Sequence, residues 1–178
     1  MRTKLAVLCT TLALTLLALP TLRAQSPAVA IPAPVPSEIF TAKKVFISNA
    51  GGYFNPKVLS GGPTRAYDEF YAAIKSGGRY DLVGAPADAD LVLEINFSVP
   101  IISVYSGAGG ASSTSDPHFT LKLLDPKTRI TLWTLISHMV PTALTQNGRD
   151  KNFDAALSTL VADLKTLTAQ PPPPPATN

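Results

Sequence analysis

The chain has 178 residues, 46% of them hydrophobic and 15% charged, and its 15 basic and 12 acidic residues give a net charge of +3. Three of the basic residues (Arg2, Lys4 and Arg23) lie in the first 24 residues, so the remainder carries 12 charges of each sign. That balance lacks the basic surface which nucleic-acid binding requires, and we expect no nucleic-acid partner. The single cysteine, Cys9, lies in the same segment, which excludes disulfides, thiol catalysis and cysteine zinc sites from the remainder.

The amino-terminal segment is typical of a bacterial export signal. Arg2 and Lys4 precede an apolar run, Leu5–Leu22, and small residues follow it. We therefore expect cleavage after residue 24, or as late as residue 30, and a periplasmic or secreted product without stable membrane insertion. An uncleaved anchor is the alternative, although the run is shorter than the roughly 20 apolar residues of a membrane span and contains Pro20.

Three further regions follow the signal. Residues 25–37 are rich in proline and alanine and are predicted to form a semi-rigid linker. Residues 38–169 are long enough for one domain with its own core. Residues 170–178 contain a run of five prolines and are predicted to be a disordered tail.

The first half of the domain alternates between strand and helix patterns. Lys44–Asn49 is a short apolar strand, and Pro63–Ser76 carries apolar residues at helical spacing. Arg79–Gly84 is a second strand. In Leu91–Val99 apolar and polar residues alternate, which predicts a strand with one buried and one wet face.

The second half predicts a hairpin and a helix. Phe119–Leu123 and Ile130–Val140 are joined by Asp125–Thr128, which has the residues of a type I turn. An apolar stripe from Phe153 to Leu167 predicts the last helix, with Asp150 or Asn152 as its cap.

The resulting order, β-α-β-β-β-β-α, predicts an α+β fold. We expect a two-layer sandwich in which a mixed five-stranded sheet carries two helices on one face.

This succession of elements over residues 43–168 resembles small bacterial envelope α/β domains, such as the amino-terminal domain of the Tol–Pal periplasmic propeller protein, and related exported families. The segments that carry the resemblance are Lys44-Val-Phe-Ile-Ser, Gly78-Arg-Tyr-Asp-Leu-Val, Ala89-Asp-Leu-Val-Leu-Glu-Ile, Phe119-Thr-Leu-Lys-Leu-Leu-Asp-Pro-Lys-Thr and Leu132-Trp133. The resemblance implies a periplasmic, non-catalytic domain used in assembly or protein contact. This chain lacks the propeller and the lipid-bearing cysteine of those relatives.

Two histidines and one carboxylate form the candidate metal cluster. The predicted hairpin places Asp116 opposite His138, with His118 one pleat along on the same side. Three such ligands could begin a divalent metal site and a small metal-dependent hydrolase. The alternative is that they are ordinary polar residues at a hairpin mouth.

Two other features bear on binding. The Gly/Ser run Ser106–Ser115 is followed by a strand and has no Gly-Lys-Ser/Thr, so we expect a flexible hairpin loop that binds no phosphate. We expect this loop and the uncovered face of the sheet to be the contact surfaces. A second feature is a set of apolar residues that could form a contact patch on the uncovered face of the sheet, unless they belong to the core. These residues are Val92, Ile101, Tyr105, Trp133, Leu135 and Met139.

The sequence therefore favours a non-catalytic domain that contacts an envelope protein and needs no cofactor. The hydrolase at Asp116, His118 and His138 is one alternative. An apolar-ligand carrier, which would need a deep cavity between helices and sheet, is the other.

Overall fold

The structure, a computed structural model, describes residues 34–107, 110–141 and 143–169. The predicted signal, most of the linker and the proline tail lie outside these ranges. The elements in chain order are α1 (Ser37–Thr41), β1 (Lys44–Gly52), α2 (Arg65–Gly77), β2 (Asp81–Leu82), a 3-10 turn (Pro86–Asp88), β3 (Leu91–Ser98), β4 (Ile101–Gly107), β5 (Gly110–Ser115), β6 (His118–Leu124), β7 (Thr131–His138) and α3 (Gln146–Ala169).

Five strands form one mixed sheet in the order β2-β1-β3-β6-β7. β1 runs parallel to β2 and β3, whereas β6 runs antiparallel to β3 and to β7. The predicted α+β fold with a mixed five-stranded sheet is confirmed.

The alternation in β3 decides which face of the sheet is buried. Leu91, Leu93, Ile95 and Phe97 are each at most 2% exposed and point toward the helices. Each such side chain stabilises the fold by roughly 1.5–3 kcal/mol on burial. The sheet and both helices therefore close around one apolar core.

Both long helices cover this same face. Phe70 and Ile74 of α2 belong to the same buried cluster as Leu157, Leu160 and Leu164 of α3. The two-layer arrangement is thus as predicted. No helix in the described ranges has the length and apolarity needed to cross a membrane.

The last helix begins earlier than its apolar stripe indicates. Its first residue is Gln146, and the Thr145 hydroxyl accepts a hydrogen bond from the backbone N–H of Gly148 at 3.1 Å, as a helix cap does. The prediction that Asp150 or Asn152 caps this helix is wrong. The Asn152 amide instead donates to the carbonyl of Val140 at 2.8 Å.

One arginine joins the start of α2 to α3. The Arg65 guanidinium pairs with Asp150 at 2.6 Å, with Glu69 at 2.7 Å and with Asp154 at 2.5 Å, and it lies 4.3 Å from the ring centroid of Phe153. Its side chain is only 10% exposed. A cation that is removed from water in this way is retained because several carboxylates neutralise it.

The hairpin between β6 and β7 has a register that differs from the predicted one. His118, and not Asp116, lies opposite His138. The turn includes Arg129 in a left-handed conformation with φ 61°, and the pairing shifts after Leu123. The observed register differs from the predicted one by two residues, and an even displacement keeps Asp116, His118 and His138 on the same side of the hairpin.

The largest departure from the predicted order is a separate hairpin, β4 and β5, which we call the ribbon. Its strands are antiparallel, with Tyr105 opposite Ser112. Ser106–Ser115, expected to be a flexible hairpin loop, instead contributes Ser106 and Gly107 to β4 and Gly110–Ser115 to β5. Ile101–Tyr105 is rich in β-branched and aromatic residues, which favour strand structure and give β5 a partner.

Candidate functional site

The ribbon leaves the sheet and returns to it at a group of polar side chains. β3 ends at Ser98, the ribbon follows, and Asp116 joins it to β6, which begins at His118. The backbone N–H of Asp116 donates to the carbonyl of Pro100 at 3.0 Å and closes the base of the ribbon. His138 ends β7 beside them. We call Ser98, Asp116, His118 and His138 the root cluster.

The two histidines lie side by side because their strands pair directly. Their ring centroids are 5.4 Å apart. One Asp116 carboxylate oxygen accepts a hydrogen bond from His138 Nδ1 at 2.8 Å, and the other lies 3.5 Å from His118 Nδ1. The predicted grouping of Asp116, His118 and His138 is therefore present in the structure, although it arises from a different register.

The hydrogen bonds indicate which nitrogen of His118 carries its proton. Nδ1 lies 2.8 Å from the backbone carbonyl oxygen of Asp116. A carbonyl only accepts, so Nδ1 donates, and in the neutral ring Nε2 presents a lone pair. That lone pair faces the Ser98 hydroxyl at 3.1 Å. Sequence reasoning missed Ser98, whose only signal was its place at the end of the alternating strand.

Exposure differs across the root cluster. The side chain of His118 is 18% exposed, that of Asp116 33% and that of His138 62%. His118 and Asp116 are consequently held in position, whereas His138 is free to change rotamer without disturbing the core.

The predicted apolar patch on the uncovered face is not formed. Trp133 lies opposite Leu123 and Leu135 lies opposite Leu121, so both point to the covered face and pack against the core. Side chains that face each other across two antiparallel strands share one side of the sheet. The placement predicted for Trp133 and Leu135 is therefore wrong.

Two further members of the predicted patch are also buried. Met139 is 5% exposed and belongs to the core cluster. Val92 does lie on the other face, but it sits between Phe46 and Leu124 of the neighbouring strands and is 2% exposed. A surface contact by either residue has no support in this arrangement.

A group of exposed apolar side chains lies on the ribbon. Ile101, Ile102, Val104 and Tyr105 are 64%, 63%, 67% and 70% exposed. Of these, Ile101 and Tyr105 were in the predicted set. Ile102 and Val104 were missed, because the neighbouring Gly/Ser run favoured a loop over a strand.

The ribbon also carries no charge. From Ile101 to Ser115 there is no lysine, arginine, aspartate or glutamate. In the part of the chain that the structure describes, its two strands pair only with each other. Each strand therefore has one edge whose backbone donors and acceptors are open to a further strand.

The middle of the uncovered sheet face, on β3 and β6, is polar. Glu94 and Lys122 form an ion pair at 3.4 Å across two strands, beside Asn96 and Thr120. Such a face is satisfied by water and by its own cross-strand pairs. The ribbon is thus the surface that differs most from an ordinary solvated sheet.

The cavities offer no support for a ligand carrier. One space beside Phe97 and Phe153 measures about 10 Å³, and one between the two long helices about 20 Å³, whereas ligand pockets are on the order of 300 Å³ or more. A concavity of about 390 Å³ along the two long helices is open to solvent. A concavity of about 390 Å³ near α1 is open and lined by charged residues, among them Glu38, Asp90 and Lys127. The carrier and the hydrolase both stay predictions, and these concavities are not lined by the root cluster.

Comparison with known proteins gives neighbours in structure only. No protein-family model matches the chain, and no curated protein sequence matches it. A PelC dodecamer from Paraburkholderia phytofirmans is 19% identical with a TM-score of 0.39, over 72% of this chain and 89% of that one. A neuraminyllactose-binding hemagglutinin homolog from Helicobacter pylori is 14% identical with a TM-score of 0.41, over 78% of this chain and 91% of that one.

A minor lipoprotein from Acinetobacter baumannii is 14% identical with a TM-score of 0.35, over 72% of this chain and 91% of that one. All three neighbours are bacterial proteins, and none of them is the Tol–Pal propeller protein. At these identities and scores the likeness carries no inference about what this chain does, and the closer family resemblance stays a prediction.

Proposed function

We propose that the chain is an exported, non-catalytic domain of the bacterial cell envelope that acts through protein–protein contact, and that the ribbon is its contact surface. The observation that carries this proposal is the uncharged hairpin with four apolar side chains at least 63% exposed. Exposed apolar surface of this kind is costly in water and typically marks an interaction site.

The occupant that best fits the ribbon is a protein with an open strand edge and apolar side chains. Both ribbon strands have an unpaired edge within the described residues, so a partner strand can add main-chain hydrogen bonds. A two-stranded hairpin is at best marginally stable alone, so a third strand would also stabilise it. The absence of charge favours an apolar partner over a salt-dependent one.

The test begins by locating the contact. A benzophenone amino acid replaces Tyr105 in one variant and Tyr53, 40% exposed and outside the ribbon, in the control. Both are irradiated in an envelope fraction of the source organism. A protein that crosslinks only through position 105 is identified by mass spectrometry and purified.

Binding of that purified protein then decides the proposal. Ile102→Thr with Val104→Thr keeps β-branched side chains, and hence strand propensity, while removing apolar surface. We expect this double variant to weaken binding at least tenfold, and the control Ile136→Thr on β7 to leave it unchanged. Equal affinity of the double variant, crosslinking to a second copy only, or binding to lipid vesicles in place of protein would each overturn the proposal.

A further inference from the structure

We propose that the root cluster binds a divalent transition-metal ion, with Zn²⁺ as the ion that best fits its donors. The ligands are one imidazole nitrogen from each of His118 and His138 and a carboxylate oxygen of Asp116. This site is independent of what the ribbon contacts, and it requires no catalysis.

The geometry meets the first requirement of such a site. One donor atom from each of the three residues lies within 4.8 Å of the other two. Zinc bonds of about 2.0–2.1 Å in a tetrahedral arrangement place neighbouring donors roughly 3.4 Å apart. His138 Nδ1 and one Asp116 carboxylate oxygen are 2.8 Å apart and would separate slightly on binding. His118 would contribute Nε2, because its Nδ1 donates to the Asp116 backbone carbonyl.

The side chain of His138 can make the change in donor positions that metal binding requires. His138 is 62% exposed, so its ring can turn toward the other donors without opening the core. His118 is restrained by its neighbours on two strands, since Ser98 and Asp116 both lie within hydrogen-bonding distance of its ring. One fixed and one mobile imidazole can therefore close on an ion.

The donor chemistry selects the class of ion. Two imidazoles and one carboxylate suit Zn²⁺, Cu²⁺ and Ni²⁺, whereas Ca²⁺ and Mg²⁺ prefer sites built of oxygen alone. Three protein ligands leave a fourth position to water. Ser98 and Asp116 flank the two ends of the ribbon, so a bound ion would also fix the angle at which the ribbon leaves the sheet.

The composition of the chain makes the test specific. The chain has two histidines, and both are in the root cluster, so any imidazole coordination reports on this site. The full chain is used without a histidine tag and with Cys9→Ser, which removes the single thiol. Cu²⁺ serves as the spectroscopic probe, because pulsed electron paramagnetic resonance counts the imidazoles bound to it, and Zn²⁺ is titrated by calorimetry.

We expect one equivalent of Zn²⁺ per chain and a two-imidazole copper signal. His138→Ala should reduce that signal to one imidazole and weaken Zn²⁺ binding at least tenfold. Because His138 is largely exposed, this variant should keep the circular dichroism spectrum and, without metal, the melting temperature of the parent chain. Zn²⁺ should raise the melting temperature of the parent and not that of the variant.

Two substitutions that each remove one negative charge distinguish coordination of the metal by Asp116 from general electrostatic attraction of the cation. Asp116→Asn removes the carboxylate of the root cluster, and Glu94→Gln removes one from the uncovered face of the sheet. Only the first should weaken Zn²⁺ binding, and by at least tenfold. The proposal is overturned if Zn²⁺ does not bind, if the copper signal contains fewer than two imidazoles, or if both substitutions have the same effect.

Discussion

Replacement of Arg65 by methionine tests how the two helices are held together. Arg65→Met keeps an unbranched chain of similar length over Phe153 and removes the charge that neutralises three carboxylates. Breaking a fully buried ion pair costs about 3–5 kcal/mol because the remaining charge is left unpaired. That range is the upper limit for this site.

The solvent exposure of the three carboxylates that pair with Arg65 determines how much of this cost of about 3–5 kcal/mol applies. The side chains of Glu69 and Asp154 are 40% and 55% exposed and can regain water, so only Asp150, at 18%, stays poorly solvated. Asp150 also keeps two hydrogen bonds from Ser60, at 3.0 and 2.9 Å. Loss of the cation over the Phe153 ring adds about 0.5–1 kcal/mol. We therefore expect a loss of about 2–3 kcal/mol in the free energy of unfolding, below the upper limit for a buried pair.

Urea unfolding at pH 7 measures this loss, and the fluorescence of the single tryptophan, Trp133, reports on the core against which it packs. Arg79→Met is the matched control, because Arg79 is exposed and its guanidinium lies 5.3 Å from the Tyr80 ring. The control should cost at most about 0.5–1 kcal/mol. If Arg65→Met costs no more than the control, the view that this cation joins the helices is wrong.

The same cluster predicts a pH dependence through Asp150. Burial opposes ionisation, but hydrogen bonds from Ser60 and Arg65 outweigh it and lower the pKa of Asp150. A carboxyl with a lowered pKa in the folded state contributes stability above its unfolded pKa of about 3.9, and that contribution is lost as the pH falls through the folded pKa. The stability difference between the parent chain and Asp150→Asn should therefore be present at pH 6 and should shrink below about pH 4. A difference that is constant from pH 6 to pH 2 would contradict this assignment.

Three smaller tests address the fold. Leu121→Ala, at a fully buried position of the covered face, should lower the free energy of unfolding in urea by about 2–5 kcal/mol. Ile136→Ala, on the other face and 51% exposed, should lower it by at most about 1 kcal/mol. Similar losses in the two variants would contradict the assignment of the faces. Gly78→Ala should cost about 1 kcal/mol in the free energy of unfolding, because φ at this position is 64°. A Cβ there meets nothing within 4 Å, so the loss would come from the backbone conformation and not from a steric clash. Gly84→Ala, equally open but without a positive φ, should be close to neutral, and equal losses at both positions would refute the conformational explanation. Hydrogen bonds from the backbone N–H groups at the start of β1 lower the pKa of Asp90. Asp90→Asn should therefore destabilise the chain at pH 6 and destabilise it less below pH 4, which thermal melts at pH 6 and below pH 4 would check.

Much of the fold could be predicted because its patterns are local. The alternation in Leu91–Val99 identified a strand with one buried face, and the stripes in Pro63–Ser76 and after Phe153 identified the two helices. These periods follow directly from backbone geometry, which repeats every 2 residues in a strand and about every 3.6 in a helix. The mixed sheet then followed from the order of the elements.

The candidate site was only partly predictable, because some of its contacts join residues that are distant in the chain. The grouping of Asp116, His118 and His138 followed from a hairpin of nearly correct register, but the contact of His118 Nε2 is with Ser98, which is 20 residues distant in the chain. The ribbon was missed because its second strand is made of Gly, Ala, Ser and Thr. Such residues form a strand here only because Ile101–Tyr105 pairs with them.

The sequence by itself determined the periodic elements, the equal numbers of basic and acidic residues after residue 24, and the absence of thiols after Cys9. Tertiary structure alone decided that Trp133 and Leu135 face the core, that an exposed ribbon leaves the sheet, and that His118 lies beside Ser98 at its root. The physical reason is that register and packing result from contacts between distant parts of the chain. Arg65 and Asp150, 85 residues apart, are one such pair, and no local pattern encodes their meeting.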